Sequence, residues 1–242
     1  MSMTNLELEI KAKEQAEIFR KQHDLGNTDA IALHNLLLKL NVLTIFLPLS
    51  GNFAGMALKQ EDEKFMLINA NHPICKQNFS IAHELYHLFI QEDFKVQLSF
   101  QNNQDDIEKQ ADFFAVHLLM PKQGILELIP ENEQNKEITL RTIFKISSYY
   151  GVSYQTVLNR LLNLELLSNQ SYKDAEVTAK KVGVKKLASQ YGSDNKLYES
   201  GNQNLIIGEY TGLATQLFEK EVISEMHYAT LLADANVNLY ND

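Results

Sequence analysis

The stretch His83-Glu84-Leu85-Tyr86-His87 constrains this chain more than any other part of its sequence. It lies in an apolar segment compatible with a helix, where two histidines four residues apart share one face. Two neutral imidazoles at that spacing can hold one divalent metal, and Glu84 can then reach water at the metal and take its proton. A chance match is expected on the order of once per hundred chains of this length, so the motif favours a metal site without proving one.

A catalytic metal site of this kind needs a third protein ligand beside water, and the best candidate is Glu108. Residues 105–120 predict a second helix, with two aspartates at its positive N-terminal end and Pro121 after it. On this helix Glu108 shares a face with Asp112, which can accept a hydrogen bond from the outer nitrogen of a metal-bound histidine. The alternative is an acidic helix face in solvent, and the nearby motif makes the metal interpretation the stronger of the two.

Two segments of the chain together carry a family resemblance, namely Asn78-Phe79-Ser80-Ile81-Ala82-His83-Glu84-Leu85-x-His87 and Glu108-x-x-Ala111-Asp112-x-Phe114-Ala115-x-x-Leu118-Leu119-Met120-Pro121. They resemble the ImmA/IrrE family of bacterial metallopeptidases, whose members cleave helix-turn-helix repressors. The resemblance covers mainly residues 28–165. It implies a zinc cofactor held by His83, His87 and Glu108, with Glu84 as the general base. His117 departs from the family pattern, and we interpret it as a surface or interhelical residue that points away from the metal face.

Composition limits the class of protein. A chain of 242 residues, of which 45% are hydrophobic and 22% charged, predicts one substantial core and a small second one. The single cysteine, Cys75, excludes an intrachain disulfide, fits a reducing compartment and is interpreted as a small buried side chain. Because no apolar run is long enough for a membrane span and the N-terminus is densely charged, we expect a cytoplasmic protein. A net charge of −9 argues against broad nucleic-acid binding.

The order of the predicted elements indicates an α+β fold that is mainly helical. Two helices and then three strands are predicted before the metal helix, at about residues 5–23, 31–40, 42–47, 52–58 and 64–69. The polar turn at residues 60–63 predicts antiparallel pairing of the last two strands, in a small three-stranded sheet beside the metal helix. Residues 92–106 are polar and predict a surface loop. In zinc peptidases an edge strand often binds the substrate as an added strand, and the sequence leaves open which strand that is.

Residues 140–165 have the spacing of a helix-turn-helix segment, with a turn glycine at Gly151 and a helix cap at Ser153. The pattern supports a competing function, that of a DNA-binding regulator with a structural or vestigial metal site. Arg160 is the only cation on the second helix, and three cations against one carboxylate give the segment a net charge of +2. That charge is low for a phosphate-binding surface, so we expect a packing role and no direct nucleic-acid binding.

We therefore expect a zinc metallopeptidase domain over residues 1–165, a polar linker over residues 166–204 and a C-terminal helical region over residues 205–242. The function that follows is a zinc-dependent endopeptidase making a limited cut in a partner protein, by resemblance a helix-turn-helix repressor. Besides the DNA-binding regulator, a non-proteolytic partner-binding module is a third interpretation. Tyr149 and Tyr150 are candidates for stabilising the oxyanion by residue type alone.

Overall fold

The computed structural model describes residues 4–92, 94, 96–100, 105–133 and 137–235, with residues 96–100 as backbone alone. The described helices are α1 (Asn5–Gln22), α2 (Leu33–Lys39), α3 (Ile74–Phe89), α4 (Asp106–Leu119), α5 (Lys122–Leu128), α6 (Leu140–Tyr150), α7 (Tyr154–Asn163), α8 (Asn169–Val182), α9 (Val184–Gln190), α10 (Tyr210–Glu219) and α11 (Glu225–Asp234). The described strands are β1 (Val42–Leu47), β2 (Phe53–Gln60), β3 (Glu63–Asn69), β4 (Val96–Phe100) and β5 (Ile206–Ile207). Short 3-10 helices occur at Glu131–Glu133 and Asn195–Tyr198. The protein is thus mainly helical and belongs to the α+β class, as predicted.

The five described strands form one mixed sheet in the order β4-β2-β3-β1-β5. β1 runs parallel to β3, whereas β2 pairs antiparallel with both β3 and β4, which confirms the predicted pairing of the second and third strands. The prediction of a three-stranded sheet was wrong, because the sheet also contains β4 and β5. β4 lies within the stretch 92–106 that was expected to be a surface loop, although residues 93, 95 and 101–104 lie outside the described chain. Its short Val-Gln-Leu-Ser-Phe alternation was obscured by polar neighbours, and two-residue β5 has no periodicity to detect.

The sheet, α3, α4 and α1 lie in successive layers. α3 packs on β2 and β3, α4 packs against α3, and α1 covers α4. Small side chains let helices approach closely, and fully buried alanines occur on α1 at Ala12 and Ala16 and on α4 at Ala111 and Ala115. Phe19 of α1 meets the rings of Phe89 and Phe114 edge-on at centroid distances of 5.8 and 5.7 Å. The helix that carries the histidine motif is therefore enclosed between a sheet and two further helices.

The segment predicted to be a helix-turn-helix consists of α6, a short turn and α7, and it is bonded to α3. Gly151 ends α6 with a φ of 64°, in the left-handed region that glycine adopts readily. Its carbonyl accepts a hydrogen bond from Asn78 Nδ2 of α3 at 2.8 Å, and a Cβ on Gly151 would lie 2.7 Å from that nitrogen. Ser153 caps α7 by accepting a hydrogen bond from the Thr156 backbone N–H at 3.1 Å. The turn is thus built for close contact with the motif helix.

Arg160 faces the interior, not the solvent. It is 3% exposed, and its Nη2 lies 3.1 Å from His117 Nδ1 and 3.4 Å from the Met120 carbonyl oxygen. His117 Nε2 in turn lies 3.3 Å from Glu9 Oε1, so His117 joins α1, α4 and α7 and is interhelical. Burial, together with the positive charges of Arg160 and Lys13, lowers the pKa of His117 to about 3. The cation considered for DNA contact is therefore occupied in the core.

The chain over residues 166–204 differs from the polar linker that was expected. It forms α8, α9 and a 3-10 helix, and Ala175, Leu187 and Ala188 are buried in the main core. Their spacing is that of a helix, but apolar residues are few among the surrounding Ser, Asn, Gln and Lys residues, so the sequence did not indicate these helices. The C-terminal region, which was expected to be helical, contains α10 and α11, while residues 236–242 lie outside the described chain.

Protonation of His117 should destabilise the fold in acid. Its folded-state pKa of about 3 lies below the reference value of about 6.5, so between these values the unfolded chain binds a proton that the folded chain does not. The free energy of unfolding should fall as the pH drops through this window, by up to about 1.4 kcal/mol per pH unit from this group. Urea unfolding of metal-free protein at pH 7.0 and 4.5 should show a smaller loss for His117→Gln than for the unchanged protein.

The control is His227→Gln, which alters an exposed histidine on α11 and should retain the pH dependence of the unchanged protein. Equal loss of stability in the unchanged protein and in His117→Gln would contradict the buried, neutral state of His117.

Candidate metal centre

α3 carries its three motif side chains into the protein interior. His83, Glu84 and His87 are 8%, 0% and 0% exposed. Apolar neighbours such as Ile81 and Leu85 bury the helix around them, which follows from the apolar run that surrounds the motif. Polar groups at this depth need specific partners, because burial without them is costly. The partners come from α4 and from the chain just after α3.

α4 places Glu108 opposite the two histidines. The Asp105 carboxylate caps α4 by accepting a hydrogen bond from the Glu108 backbone N–H at 2.9 Å, which fixes Glu108 in the first turn. Glu108 Oε2 lies 3.2 Å from His83 Nε2, and its Oε1 lies 3.4 Å from His87 Nε2. The two Nε2 atoms are 3.1 Å apart. The structure thus brings together the three side chains that the sequence analysis selected as ligands.

These three ligand groups form a triangle with the dimensions of a metal site. Atoms bound to one tetrahedral zinc at about 2.0–2.1 Å lie roughly 3.3 Å apart. The observed separations of 3.1, 3.2 and 3.4 Å match that value. Among the described residues, His83, His87 and Glu108 are the group of side chains arranged to hold a metal ion. A tetrahedral ion held by three protein ligands keeps one position open, as catalytic sites require.

Both histidines are oriented from behind by oxygen acceptors. Asp112 Oδ1 lies 2.9 Å from His83 Nδ1, and Gln91 Oε1 lies 2.6 Å from His87 Nδ1. When each Nδ1 donates to its oxygen, each Nε2 presents a lone pair to the centre of the triangle. The sequence analysis anticipated the contact of Asp112. It missed Gln91, which follows the end of α3 and whose only signal is its position four residues after His87.

The electrostatics of the cluster favour a positive charge at its centre. Burial opposes the protonation of His83, but hydrogen bonds to Asp112 and Glu108 and the charge of Glu84 outweigh it and raise the pKa of His83 to about 10. Burial and the neighbouring charge of His83 lower the pKa of His87. The carboxylates therefore stabilise a cation beside His83, and a divalent metal would take the place of that proton.

A protein-family model described as the IrrE N-terminal-like domain of peptidase M78 matches residues 38–162, more than half of the chain. The chain belongs to this peptidase family. The matched region of this IrrE-like peptidase includes the motif helix, Glu108 and Asp112, and it extends through the helix-turn-helix segment to residue 162. That segment is therefore part of the family domain. A comparison with curated proteins gave no match. Within the described chain, every helix is too short or too polar to cross a membrane.

In this peptidase, Gly55 of β2 provides the space that Glu84 occupies. A Cβ on Gly55 would lie 2.8 Å from Glu84 Oε1, which would force the carboxylate to shift, and 3.3 Å from its Cγ, which is a tight contact. Gly55 also lies in an irregularity of register between β2 and β4. The sequence analysis did not select Gly55, although a glycine inside a strand often marks the close approach of another group. The sheet thus shapes the position of the predicted general base.

The two tyrosines that were oxyanion candidates by residue type lie at the end of α6. Tyr150 is buried, and its hydroxyl donates a hydrogen bond to the Thr28 carbonyl oxygen at 2.8 Å. Tyr149 is exposed, and its ring meets that of Tyr150 edge-on at 4.9 Å. Cys75 is buried, as expected, and burial raises the pKa of its thiol. Tyr150 therefore has a packing role in the described structure.

Replacing Gly55 by alanine should impair the reaction while leaving metal binding intact. The added methyl group would collide with the Glu84 carboxylate and displace it, whereas His83, His87 and Glu108 would keep their positions. We expect at least a tenfold fall in kcat with unchanged metal content, by analogy with the cost of misplacing a catalytic group. The control is Gly212→Ala in α10, remote from the motif helix, which should retain full activity. Full activity in Gly55→Ala would contradict this role.

Proposed function

We propose that this protein is a zinc-dependent endopeptidase that makes a limited cut in a partner protein. The observation that carries the proposal is the buried triangle of His83, His87 and Glu108, with Glu84 beside it on the same helix. Two imidazoles and a carboxylate are ligands that zinc accepts, and three protein ligands are typical of its catalytic sites. Membership of a peptidase family supports peptide-bond hydrolysis as the reaction.

The roles of the residues follow from their positions. His83, His87 and Glu108 would hold the ion, which when bound supplies Lewis-acid polarisation of the scissile carbonyl and a lowered pKa for water. Glu84 accepts a proton from the attacking water and passes it to the nitrogen of the leaving amine. One water molecule is consumed, the C–N bond breaks, and Glu84 returns to its carboxylate form. The full burial of Glu84 keeps this proton transfer away from bulk water.

The substrate segment would bind in extended form beside the sheet. Extended peptides add to exposed sheet edges through main-chain hydrogen bonds, and the edges of the described sheet are β4 and β5. β4 pairs with β2, which packs on α3 and carries Gly55 against Glu84. The edge formed by β4 is therefore on the side of the sheet nearest the general base, and we propose it as the strand that receives the substrate.

The partner that we propose is a helix-turn-helix transcriptional repressor. The paired motifs support this choice through their resemblance to the repressor-cleaving ImmA/IrrE metallopeptidases. The chain beyond the matched family domain supplies α8 to α11, which the hydrolytic chemistry does not require. These helices offer surface for docking a specific partner, and docking away from the cut site would provide selectivity beyond that of the added strand.

The protein should bind one zinc ion per chain. His83→Ala, His87→Ala and Glu108→Ala should each weaken zinc binding by at least about a hundredfold, because each removes one of three ligands. Glu84→Gln should retain the zinc and lose activity, because it removes a base and no ligand. Zinc content by plasma mass spectrometry and affinity by chelator competition measure these effects, with His227→Ala as the control. Full zinc retention in the double variant His83→Ala, His87→Ala would rule out this site.

Zinc-loaded protein should cut a helix-turn-helix repressor encoded beside its gene at one bond. The cut should be prevented by a chelator and absent with Glu84→Gln, because both remove the proposed chemistry and leave docking intact. Intact-mass spectrometry of the products identifies the bond and the number of cuts. Rapid digestion of casein at many sites, with no preference for the repressor, would contradict limited and partner-directed cleavage.

A further inference from the structure

A cavity lies where α1, α4, α5 and α7 meet, away from the metal centre. Its volume is about 740 Å³, within the range of small-molecule sites. It is lined by the second half of α1 and the loop that follows, the end of α4, the start of α5, and Arg160 of α7. None of the three proposed zinc ligands lines it. The cavity is therefore separate from the metal centre.

The wall of this cavity is positively charged in a chain that is negative as a whole. Five cationic and two anionic side chains line it, which gives a formal charge of +3 against −9 for the protein. Both carboxylates form exposed ion pairs with lysines, Glu17 with Lys13 at 3.8 Å and Asp24 with Lys39 at 3.7 Å. Within the described residues, the Lys21 and Lys122 of the wall lie in no ion pair.

Two of the cations are buried guanidinium groups without a carboxylate within 4 Å among the described residues. Arg20 donates to four backbone carbonyl oxygens, those of Gly26, Leu118, Leu25 and Asp29, at 2.5–2.9 Å. These four bonds engage four of its five N–H donors, and none of the acceptors carries a negative charge. Burial lowers the pKa of Arg20 even though the charge of Asp29 opposes that shift, and an anion in the adjoining cavity would further offset the cost of burying this cation.

Arg160 is the stronger indication of a ligand. It is 3% exposed and contributes to the cavity wall, and its Nε–H is buried with no hydrogen-bond acceptor in the described structure. Its other contacts are to neutral groups, His117 Nδ1 at 3.1 Å and the Met120 carbonyl oxygen at 3.4 Å. Burial lowers the pKa of Arg160 to about 10 although the charge of Glu9 opposes that shift, so the carboxylate only partly offsets the cost of burying this cation.

We propose that this cavity binds a small phosphorylated anion, with Lys21 and Lys122 contacting the phosphate at the rim and Arg160 providing charge from the interior. A phosphate group offers several charged oxygens, and clusters of lysine and arginine are the side chains that recognise it. Leu126 and Pro121 add an apolar wall suited to the organic part of such a molecule. The concave shape and the negative charge of the whole chain favour a small ligand over a nucleic acid.

The position of the cavity connects it to the metal centre through one helix. His117 lies in the wall and belongs to α4, nine residues after Glu108. A bound anion would therefore contact the helix that supplies the proposed third zinc ligand. The proposal that an anion binds here does not depend on the proposed peptidase function.

Isothermal titration of the zinc-loaded full chain with orthophosphate and with ADP tests the site and separates the two sources of phosphate. We expect ADP to bind one per chain, more tightly than orthophosphate, because only ADP contacts the apolar wall. Lys21→Gln and Lys122→Gln should each weaken ADP binding at least tenfold with zinc content unchanged. Lys180→Gln, which alters an exposed lysine on α8, is the matched control and should have no effect. The imidazole NMR signals of His117 should shift with ADP, and those of exposed His227 should not.

Three outcomes would overturn the proposal. Heat effects that sodium sulfate reproduces at equal ionic strength, in the unchanged protein and all variants, would indicate adventitious ion binding only. Equal loss of ADP affinity in Lys122→Gln and Lys180→Gln would place the ligand elsewhere on the surface. Binding of a short DNA duplex that is tighter than ADP and lost in Lys122→Gln would show that this face contacts nucleic acid instead.

Discussion

The structure depends on one buried electrostatic arrangement, in which two imidazoles of α3 and one carboxylate of α4 meet in the protein interior. Their ligand atoms stand 3.1–3.4 Å apart, close enough that the lone pairs repel unless a cation lies between them. Asp112 and Gln91 hold the outer nitrogens of the rings, so the inner nitrogens cannot turn away. Removing one partner from such a buried set is costly, so the packing of α3 on α4 and the site depend on each other.

The remaining elements fix the position of α3 from three directions. β2 approaches Glu84 so closely that a Cβ at position 55 would lie 2.8 Å from its Oε1, and the carboxylate would have to shift. The turn between α6 and α7 is bonded to Asn78 and Arg160 of α7 is buried, so this segment packs as part of the matched peptidase domain. The chain before β5 is bonded to Gln77, whose amide nitrogen donates to the Gly201 carbonyl oxygen at 3.0 Å. Elements far apart in the sequence thus converge on a single helix.

The features that could be predicted from the sequence are those with strong local periodicity or fixed spacing. The motif helix and β1 are examples, and the spacing of Glu108 and Asp112 on one helix face placed both beside the histidines. Contacts between residues far apart in the sequence could not be predicted from local periodicity or spacing. Gln91 lies past the end of α3, and Gly55 matters only because β2 passes close to Glu84. Arg160 points inward, where its guanidinium contacts His117. The packing of α8 and α9 could not be predicted, because this segment is mostly polar and only a few apolar residues hold it against the core.

The most direct test of the central claim is zinc X-ray absorption spectroscopy of the loaded protein, which reports the identity and distance of the atoms bound to the metal. The structure predicts two imidazole nitrogens and oxygen ligands at about 2.0–2.2 Å, with no sulfur. Glu84→Gln should leave this spectrum unchanged, whereas Glu108→Ala should alter the oxygen contribution. A sulfur ligand at about 2.3 Å, or a spectrum without imidazole that persists in the histidine variants, would contradict the assignment of the site.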